Sequence, residues 1–355
     1  PATTEQAVGP RTLPAQAYTD PARLDAEITS ILRPAWHCIG RADELAGPGD
    51  FLTMTILDEP VLVVRGDDGE LRALSNICRH RGMPVAEGTG SSSTFTCPYH
   101  AWSYAADGEL RVAPFTDPES ITGCRLPSWP LTIDEHGFLH VAVCDAPAPL
   151  PSIPGLDNEL APFNTAAMRF RHAETEIWAC NWKAMVENFM EGSHLSVVHQ
   201  NTLHPLTPSR LASKGPSSPE FTSYYSAFPP GVRSTTPGEP GLSDEQRGRS
   251  FLWQRFPTQV ACQNATFCAT FLVLPLAVDR TMIRWTVSAF RECTDELVDG
   301  TIALWREING EDQAVLERLQ RNLRAPSAQA YAGPLADEDR EGTIGDFHRY
   351  LDQAP

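Results

Sequence analysis

The chain has 355 residues, which is more than one hydrophobic core usually supports, so we expect two domains. Apolar residues make up 41% of it, yet no run of about 18 consecutive apolar residues occurs and the start lacks the regions of a signal peptide, which predicts a cytoplasmic protein that does not span a membrane. The formal net charge of −17 disfavours nucleic acid and anionic membranes as partners, and the nine cysteines form no evenly paired framework of a secreted disulfide scaffold.

The first predicted element is a short amphipathic helix within residues 20–37. Asp20 can cap its first turn, and apolar residues follow at helical spacing, namely Leu24, Ile28, Ile31 and Leu32. From about Asp50 to Val143 the pattern changes to short β-branched or apolar runs separated by Gly–Asp and Asp–Gly turns, which predicts a small all-β domain. The Pro-rich stretch 148–155 is then either an exit linker or an ordered surface loop.

A region of mixed helices and strands follows. Residues 167–190 give a strand-like segment and then the helical pattern WKAMVENFM. Residues 205–250 are rich in Pro, Ser, Gly and Thr, so we expect long loops there. Strand-like runs return at 266–274 and 282–290, and a helix at about 298–324 closes the core.

Two short Cys/His pairs in the β region form a metal-site pattern, Cys78 with His80 and Cys97 with His100. A structural zinc site typically separates paired ligands by two or more residues, whereas one residue separates Cys78 from His80. A Rieske [2Fe–2S] cluster needs two thiolates on one iron and two imidazoles on the other, because His in place of Cys raises the reduction potential. The pattern therefore favours such a cluster, with a zinc knuckle or two coincidental pairs as alternatives.

A second pair of histidines follows the helical pattern. His194 and His199 are five residues apart, which is about 140° around a continuous helix, so they can bind one ion only where the helix is interrupted. Gly192-Ser193 and the β-branched Val197-Val198 disfavour a regular helix there. Two histidines and one carboxylate are the ligands with which ferrous iron activates dioxygen. On spacing alone, ordinary surface or core histidines remain an alternative.

Asp312 is the candidate third ligand. It opens the pattern DQAVLERLQRNL, in which four apolar residues at helical spacing would share its face, namely Val315, Leu316, Leu319 and Leu323. A carboxylate on a buried stripe requires a partner or a metal. The alternative is a charge stabilised at a helix N-terminus, and Glu311 is the substitute ligand.

The chain resembles the large (alpha) subunits of Rieske non-haem iron ring-hydroxylating oxygenases. The likeness rests on Cys-x-His-Arg-Gly, Cys-Pro-Tyr-His and the trailing Trp102, and then on Asn-Trp-Lys, Glu-Asn-Phe and acid-x-x-His-x4-His in the same order. It implies an α+β protein: a small all-β Rieske domain at 41–148 and an α+β helix-grip catalytic domain with an antiparallel sheet at 149–355. Residues 1–40 would be a helical segment that packs on the catalytic domain.

The resemblance also implies roles for single residues. Arg81 and Trp102 flank the cluster, Asn188 approaches the iron, and Asp312 completes the iron ligands. Glu191 bridges a cluster histidine of one subunit to an iron histidine of its neighbour, which requires a homo-oligomer, usually a homotrimer. An exposed Glu that pairs with Lys or water is the alternative for Glu191.

The implied activity is that of a terminal oxygenase. With O₂ and electrons that come from NAD(P)H through a separate reductase, with or without a ferredoxin, it would hydroxylate or oxidatively demethylate a small aromatic or methylated-amine substrate. One site serves mono- and dioxygenation, so the motifs do not choose between them. The alternative is a non-enzymatic Rieske electron-transfer protein with a ligand-binding C-terminal domain. The aromatic candidates for a substrate pocket are Phe221, Tyr224, Tyr225, Trp253 and Phe271, and the alternative is that most of them are ordinary core residues.

Overall fold

A computed structural model describes residues 10–235, 238–329 and 332–353; the first nine residues, which bear on the signal-peptide prediction, lie outside this part of the chain. Within the described ranges, no helix combines the length and the apolar character needed to cross a membrane. The chain divides into two compact units. One comprises residues 32–150, and the other comprises the segments on either side of it.

The unit of residues 32–150 is built of short antiparallel strands, as its alternation of apolar runs and turns predicted. The strands are β1 His37–Arg41, β2 Asp50–Ile56, β3 Glu59–Arg65, β4 Leu71–Ser75, β5 Thr89–Ser91, β6 Thr94–Thr96, β7 Ser103–Ala105, β8 Leu110–Val112, β9 Ser128–Trp129, β10 Leu131–Ile133 and β11 Phe138–Val141. Among the described residues they form one five-stranded sheet, β5-β2-β3-β4-β9, and two three-stranded sheets, β1-β11-β10 and β6-β7-β8. Apolar side chains from β3, β4 and β6 pack with Cys78 and Cys97 in one buried cluster. The two candidate cysteine ligands are therefore part of the hydrophobic core of this unit.

The other unit combines helices with a seven-stranded antiparallel sheet. Its elements are α1 Gln16–Thr19, α2 Pro21–Glu27, α3 Pro154–Leu160, β12 Arg169–Trp178, α4 Trp182–Phe189, β13 Ala212–Lys214, β14 Phe221–Ala227, α5 Asp244–Arg247, β15 Arg249–Arg255, β16 Gln259–Gln263, β17 Phe267–Ala277, β18 Arg280–Ala289, α6 Asp295–Leu323 and α7 Glu338–Gln353. Within the described residues the sheet order is β12-β18-β17-β16-β15-β14-β13. The strand predictions at 266–274 and 282–290 and the helix predictions at 182–190 and 298–324 are confirmed.

The N-terminal helix is shorter than predicted. The side chain of Asp20 caps it by accepting a hydrogen bond from the amide of Ala22 at 2.9 Å, as expected. The regular helix α2 ends at Glu27, however, and a wider helical turn, Ile28–Leu32, follows before β1. Glu27 is buried and pairs with buried Lys183 of α4 at 2.7 Å, which fixes α2 against the helix that leads to the predicted iron site.

Several segments differ from the sequence prediction. Residues 221–227, expected within long loops, form β14, and the sequence pattern did not predict β15, β16 or α7. The aromatic and β-branched residues of β14 suit a buried strand. The prediction missed this strand because the segments on both sides are rich in Pro and Ser. Helix α7 has few apolar residues, and it is stabilised by packing against β13 and β14 rather than by a strong apolar stripe.

Helix α6 presents a different face to the sheet from the one predicted. Val315 and Leu319 are 37% and 42% exposed, whereas Trp305, Asp312 and Leu316 are buried. Asp312 therefore lies on a buried stripe, but not with all four expected neighbours. It also lies in the middle of α6, which begins at Asp295, so the alternative of an N-terminal helix charge is wrong.

Candidate metal centres

Two tight turns in the unit of residues 32–150 carry the first predicted centre. One follows β4 and holds Cys78 and His80, and the other joins β6 to β7 and holds Cys97 and His100. In each turn the carbonyl oxygen of the cysteine accepts a hydrogen bond, at 3.0 Å, from the amide four residues later. The two turns therefore place their Cys and His side chains in a matching way.

The four side chains divide into an inner and an outer pair. Both cysteines are buried and free of disulfide bonds. The two imidazole rings lie side by side further out, with centroids 4.5 Å apart and Nδ1 atoms 3.1 Å apart. His80 is exposed and His100 is half-buried.

The donor set suits a two-iron cluster better than a single ion. No three of these four described residues offer ligand atoms that all lie within 4.8 Å of one another, as closure around one zinc ion would require. Two thiolates and two imidazoles shared between two irons are the ligands of a Rieske cluster. These turns therefore fit a [2Fe–2S] group, with the imidazole side toward solvent.

Residues near the turns include one that the sequence reasoning missed. The ring of Trp102 stacks on His80 with centroids 4.9 Å apart, whereas Arg81 is exposed. The hydroxyl of Tyr104 lies 3.4 Å from the sulfur of Cys78 and accepts a hydrogen bond from the amide of Arg79 at 2.9 Å. Burial and then the hydrogen bond with Cys78 raise the pKa of Tyr104, so the phenol keeps its proton.

The second predicted centre is assembled from two distant parts of the other unit. Helix α4 ends at Phe189, and residues 191–207 form turns, which confirms the predicted interruption between His194 and His199. The third residue, Asp312, comes from the middle of α6. One ligand atom from each of the three residues lies within 4.8 Å of the others.

Polar atoms of the three side chains face one another without forming hydrogen bonds. Nε2 of His199 and Oδ1 of Asp312 are 3.1 Å apart, and Nε2 of His194 is 3.8 Å from the same oxygen. Nε2 of His199 and Oδ1 of Asp312 are both buried and have no hydrogen-bond partner among the described residues. Buried polar atoms are usually paired, so this arrangement fits a metal ion, and two histidines with one carboxylate suit ferrous iron.

Two carboxylates accept hydrogen bonds from the imidazole nitrogens that face away from the centre. Glu191 accepts a hydrogen bond from Nδ1 of His194 at 2.5 Å, and Glu311 accepts one from Nδ1 of His199 at 2.7 Å. Burial lowers the pKa of His194, but the hydrogen bond to Glu191 and its charge outweigh this effect, so that pKa lies above its usual value. Glu311, the substitute ligand of the sequence reasoning, therefore contacts the histidine rather than the centre.

The remaining candidate residues lie either near the second centre or on the opposite face of the sheet. Asn188 is half-buried in the last turn of α4. The hydroxyl of Tyr224 donates to the carbonyl oxygen of Phe189 at 3.4 Å, and the ring of Phe271 lies 5.0 Å from that of Phe189. Because side chains alternate along a strand, the strand registers put the other three aromatic candidates on the opposite face, namely Phe221, Tyr225 and Trp253.

Comparison with known families supports both halves of this arrangement. Residues 35–130 match the family described as Rieske [2Fe-2S] domain, and residues 165–354 match the ring hydroxylating alpha subunit (catalytic domain). These matches confirm the predicted fold class and cofactors.

Several characterised proteins are similar to the chain. It is 26% identical to the carnitine monooxygenase oxygenase subunit of Acinetobacter baumannii over 93% of this chain and 90% of that protein. It is 32% identical to the glycine betaine monooxygenase oxygenase subunit of Chromohalobacter salexigens over 57% of this chain, but only 46% of that protein. The biphenyl 2,3-dioxygenase subunit alpha of Rhodococcus jostii is 33% identical over 48% of this chain and 39% of that protein.

Solved structures share the fold. The structure of a quaternary ammonium Rieske monooxygenase aligns with a TM-score of 0.80 at 21% identity, covering 98% of this chain and 96% of that one. Naphthalene 1,2-dioxygenase from Rhodococcus sp. aligns with a TM-score of 0.79 at 20% identity, covering 97% and 94%. With both domain families matched in the expected order, the chain belongs to the alpha subunits of Rieske non-haem iron ring-hydroxylating oxygenases, oxidoreductases that carry a Rieske [2Fe–2S] cluster and a mononuclear iron.

Proposed function

We propose that this chain is the terminal oxygenase that oxidises the methyl group of a small methylated amine. The observation that carries the proposal is the buried group of His194, His199 and Asp312, whose facing Nε2 and Oδ1 atoms have no hydrogen-bond partner among the described residues. In this proposal these three residues hold the iron, and two Cys/His pairs hold the cluster, namely Cys78, His80, Cys97 and His100. When bound, the cluster supplies single electrons and the iron supplies O₂ activation.

The protein's own residues would orient the reaction and exclude water. Glu191 and Glu311 keep Nδ1 of each histidine engaged, so that each Nε2 points at the centre. The side of the sheet that faces α4 offers Tyr224, Phe271 and the neighbouring Phe189. Aromatic faces attract cationic methylated ammonium groups, and their apolar area also suits neutral rings.

The overall reaction balances with an external reductant. One methyl C–H bond becomes C–OH, the second oxygen atom leaves as water, and two electrons and two protons are consumed. The C–N bond of the hydroxymethyl group then breaks, its electron pair stays on the nitrogen, the hydroxyl proton passes to the nitrogen or to water, and the carbon leaves as formaldehyde. Family members work with a separate reductase, and we propose that one supplies these electrons here, with or without a ferredoxin, in the cytoplasm.

The relatives suggest two substrate classes. The glycine betaine and carnitine monooxygenase subunits favour a methylated amine, and the carnitine monooxygenase subunit aligns over 93% of this chain. The match to a biphenyl dioxygenase supports an aromatic hydrocarbon as the second candidate. Both would use the same iron residues, so the substrate pocket decides between them.

The assembly and the domain boundaries are further parts of the proposal. We propose a homotrimer in which Glu191, half-buried beside His194, connects the iron of one subunit to the cluster of the next. The predicted boundary at residue 40 falls inside β1, so we propose residues 32–150 as the Rieske domain in place of 41–148, and residues 151–355 as the catalytic domain in place of 149–355. Of the predicted N-terminal segment 1–40, the hydrogen bond of Tyr18 to Glu187 at 2.9 Å supports packing of residues 10–31 on the catalytic domain, whereas the end of the segment belongs to β1.

A substrate screen under ¹⁸O₂ with a supplied reductase tests the function. Methylated amines should yield formaldehyde and a demethylated product in amounts equal to the NADH consumed. The His199→Ala variant, with its cluster spectrum intact, is the matched control and should yield neither. Diol products from aromatic hydrocarbons, without turnover of any methylated amine, would support the second candidate instead. Turnover that survives in His199→Ala would contradict the assignment of the site.

A further inference from the structure

We infer that Glu311 is a positioning residue that fixes the tautomer and the orientation of His199 for metal binding. The inference rests on the proposed iron site. It deepens that proposal by giving a carboxylate outside the ligand set a defined part in iron affinity.

Glu311 is held in place from two sides. Its Oε2 atom accepts a hydrogen bond from Nδ1 of His199 and another from the hydroxyl of Thr202, each at 2.7 Å. The side chain is 25% exposed, whereas that of His199 is 1% exposed. Thr202 lies three residues after His199 in the same run of turns, so one carboxylate oxygen fixes both the ring and the loop that carries it.

The contact determines which nitrogen of His199 is available to a metal. A neutral imidazole has one N–H group, and the ring nitrogen that donates it cannot also offer a lone pair. With Nδ1 donating to Glu311, the lone pair lies on Nε2. That atom is buried, lacks a hydrogen-bond partner among the described residues, and lies 3.1 Å from Oδ1 of Asp312. The ring is therefore already set for coordination through Nε2.

The order Glu311-Asp312 in the sequence explains how one helix supplies both carboxylates. Neighbouring residues of a helix point about 100° apart, so α6 can direct Asp312 toward Nε2 of His199 and Glu311 toward Nδ1. The same geometry makes Glu311 a poor replacement for Asp312, because its carboxylate is on the opposite edge of the imidazole. Carboxylate partners of this kind orient metal-bound histidines and increase their basicity.

The test measures ferrous iron affinity rather than turnover. Protein with an intact cluster is depleted of mononuclear iron, and Fe(II) is returned in competition with a chelator. The variants are Glu311→Ala and Glu311→Gln, and the matched control is Glu307→Ala. Glu307 is one helical turn earlier on α6, is exposed, and carries the same charge.

We expect Glu311→Ala to bind Fe(II) about 10–100-fold more weakly than the unaltered chain, the usual effect of losing such a partner. Glu311→Gln should lose about 3–10-fold, since an amide oxygen still accepts the hydrogen bond but without the charge that makes it strong. Glu307→Ala should bind normally. The visible spectrum of the cluster and the thermal unfolding curve show that each variant is folded.

The electron paramagnetic resonance spectrum of the ferrous nitrosyl complex gives a second readout, because a reoriented His199 would alter its rhombicity. If Glu311→Ala does not fold, Glu311→Gln decides alone, and native affinity in that variant overturns the inference. Native affinity and an unchanged nitrosyl spectrum in Glu311→Ala overturn it as well. Failure of the unaltered chain to bind Fe(II) at all would refute the proposed iron site itself.

Discussion

Replacing Glu27 by Gln tests how much the buried ion pair with Lys183 stabilises the packing of α2 against α4, the helix that precedes the candidate iron ligands. The carboxylate of Glu27 accepts hydrogen bonds from Nζ of Lys183 at 2.7 and 2.9 Å and from the indole of Trp182 at 3.0 Å. The Lys183 side chain is 0% exposed. Gln has a similar size but no charge, so the variant leaves the ammonium group buried without its counter-charge.

The expected loss of stability can be bounded. Removing one partner of a buried ion pair costs about 3–5 kcal/mol. Burial lowers the pKa of Lys183, and the charge of Glu27 and its hydrogen bond counteract part of this. Without Glu27 the amine can lose its proton instead, and at pH 7 that costs about 4.6 kcal/mol for a lysine with an unfolded-state pKa of about 10.4. We therefore expect Glu27→Gln to lower the free energy of unfolding by about 3–5 kcal/mol.

The loss should depend on pH. If Lys183 is neutral in the folded variant and protonated in the unfolded chain, the unfolded state binds one more proton below the unfolded-state pKa. The free energy of unfolding of the variant should then rise by about 1.4 kcal/mol per pH unit from pH 7 towards pH 10, relative to the unaltered chain. If Lys183 is neutral in the folded variant, the loss of stability caused by Glu27→Gln should therefore become smaller as the pH rises.

Urea unfolding followed by tryptophan fluorescence measures this change, and the visible absorption of the cluster reports separately on the other unit. The control is Asp25→Asn, an exposed carboxylate on the same helix, which should change stability by less than about 0.5 kcal/mol. A loss below 1 kcal/mol in Glu27→Gln, or a loss that does not diminish as the pH rises, would refute the reasoning.

Three further predictions concern the two centres. His199→Ala should retain the visible spectrum of the cluster but contain about two irons per chain instead of three by metal analysis, and a retained third iron would contradict the assignment. Glu191→Ala should give a cluster that the reductase still reduces but almost no turnover; stopped-flow reoxidation of the cluster at the native rate would refute the bridge. Tyr104→Phe removes the hydroxyl 3.4 Å from the sulfur of Cys78, and since hydrogen bonds to sulfur favour the reduced cluster, loss of about 1–2 kcal/mol should lower its potential by roughly 40–90 mV in redox titration. An unchanged potential would mean that this contact does not tune the cluster.

Local spacing was enough to predict that the four candidate cluster ligands come together. Cys78 and His80 are separated by one residue, and Cys97 and His100 by two, so each turn is defined by neighbours in the sequence. Residues so close along the chain have few ways to arrange themselves, and the pattern of apolar runs and turn residues around them predicted the all-β unit. Tyr104 was missed because a buried tyrosine in a short strand has no sequence feature that distinguishes it from a core residue.

The second centre shows what the sequence alone left open. The interruption after α4 could be predicted from Gly192 and the β-branched residues, because helix propensity is local. That Asp312 lies opposite His199, 113 residues earlier, depends on the order of seven strands and on the rotation of α6 about its axis. A rotation of about 100° would have exchanged the places of Glu311 and Asp312. The sequence by itself determined the residue types and the local turns. Only tertiary packing, which depends on contacts between distant segments, decided that Asp312 faces Nε2 of His199 at the proposed metal position and that Glu311 binds Nδ1.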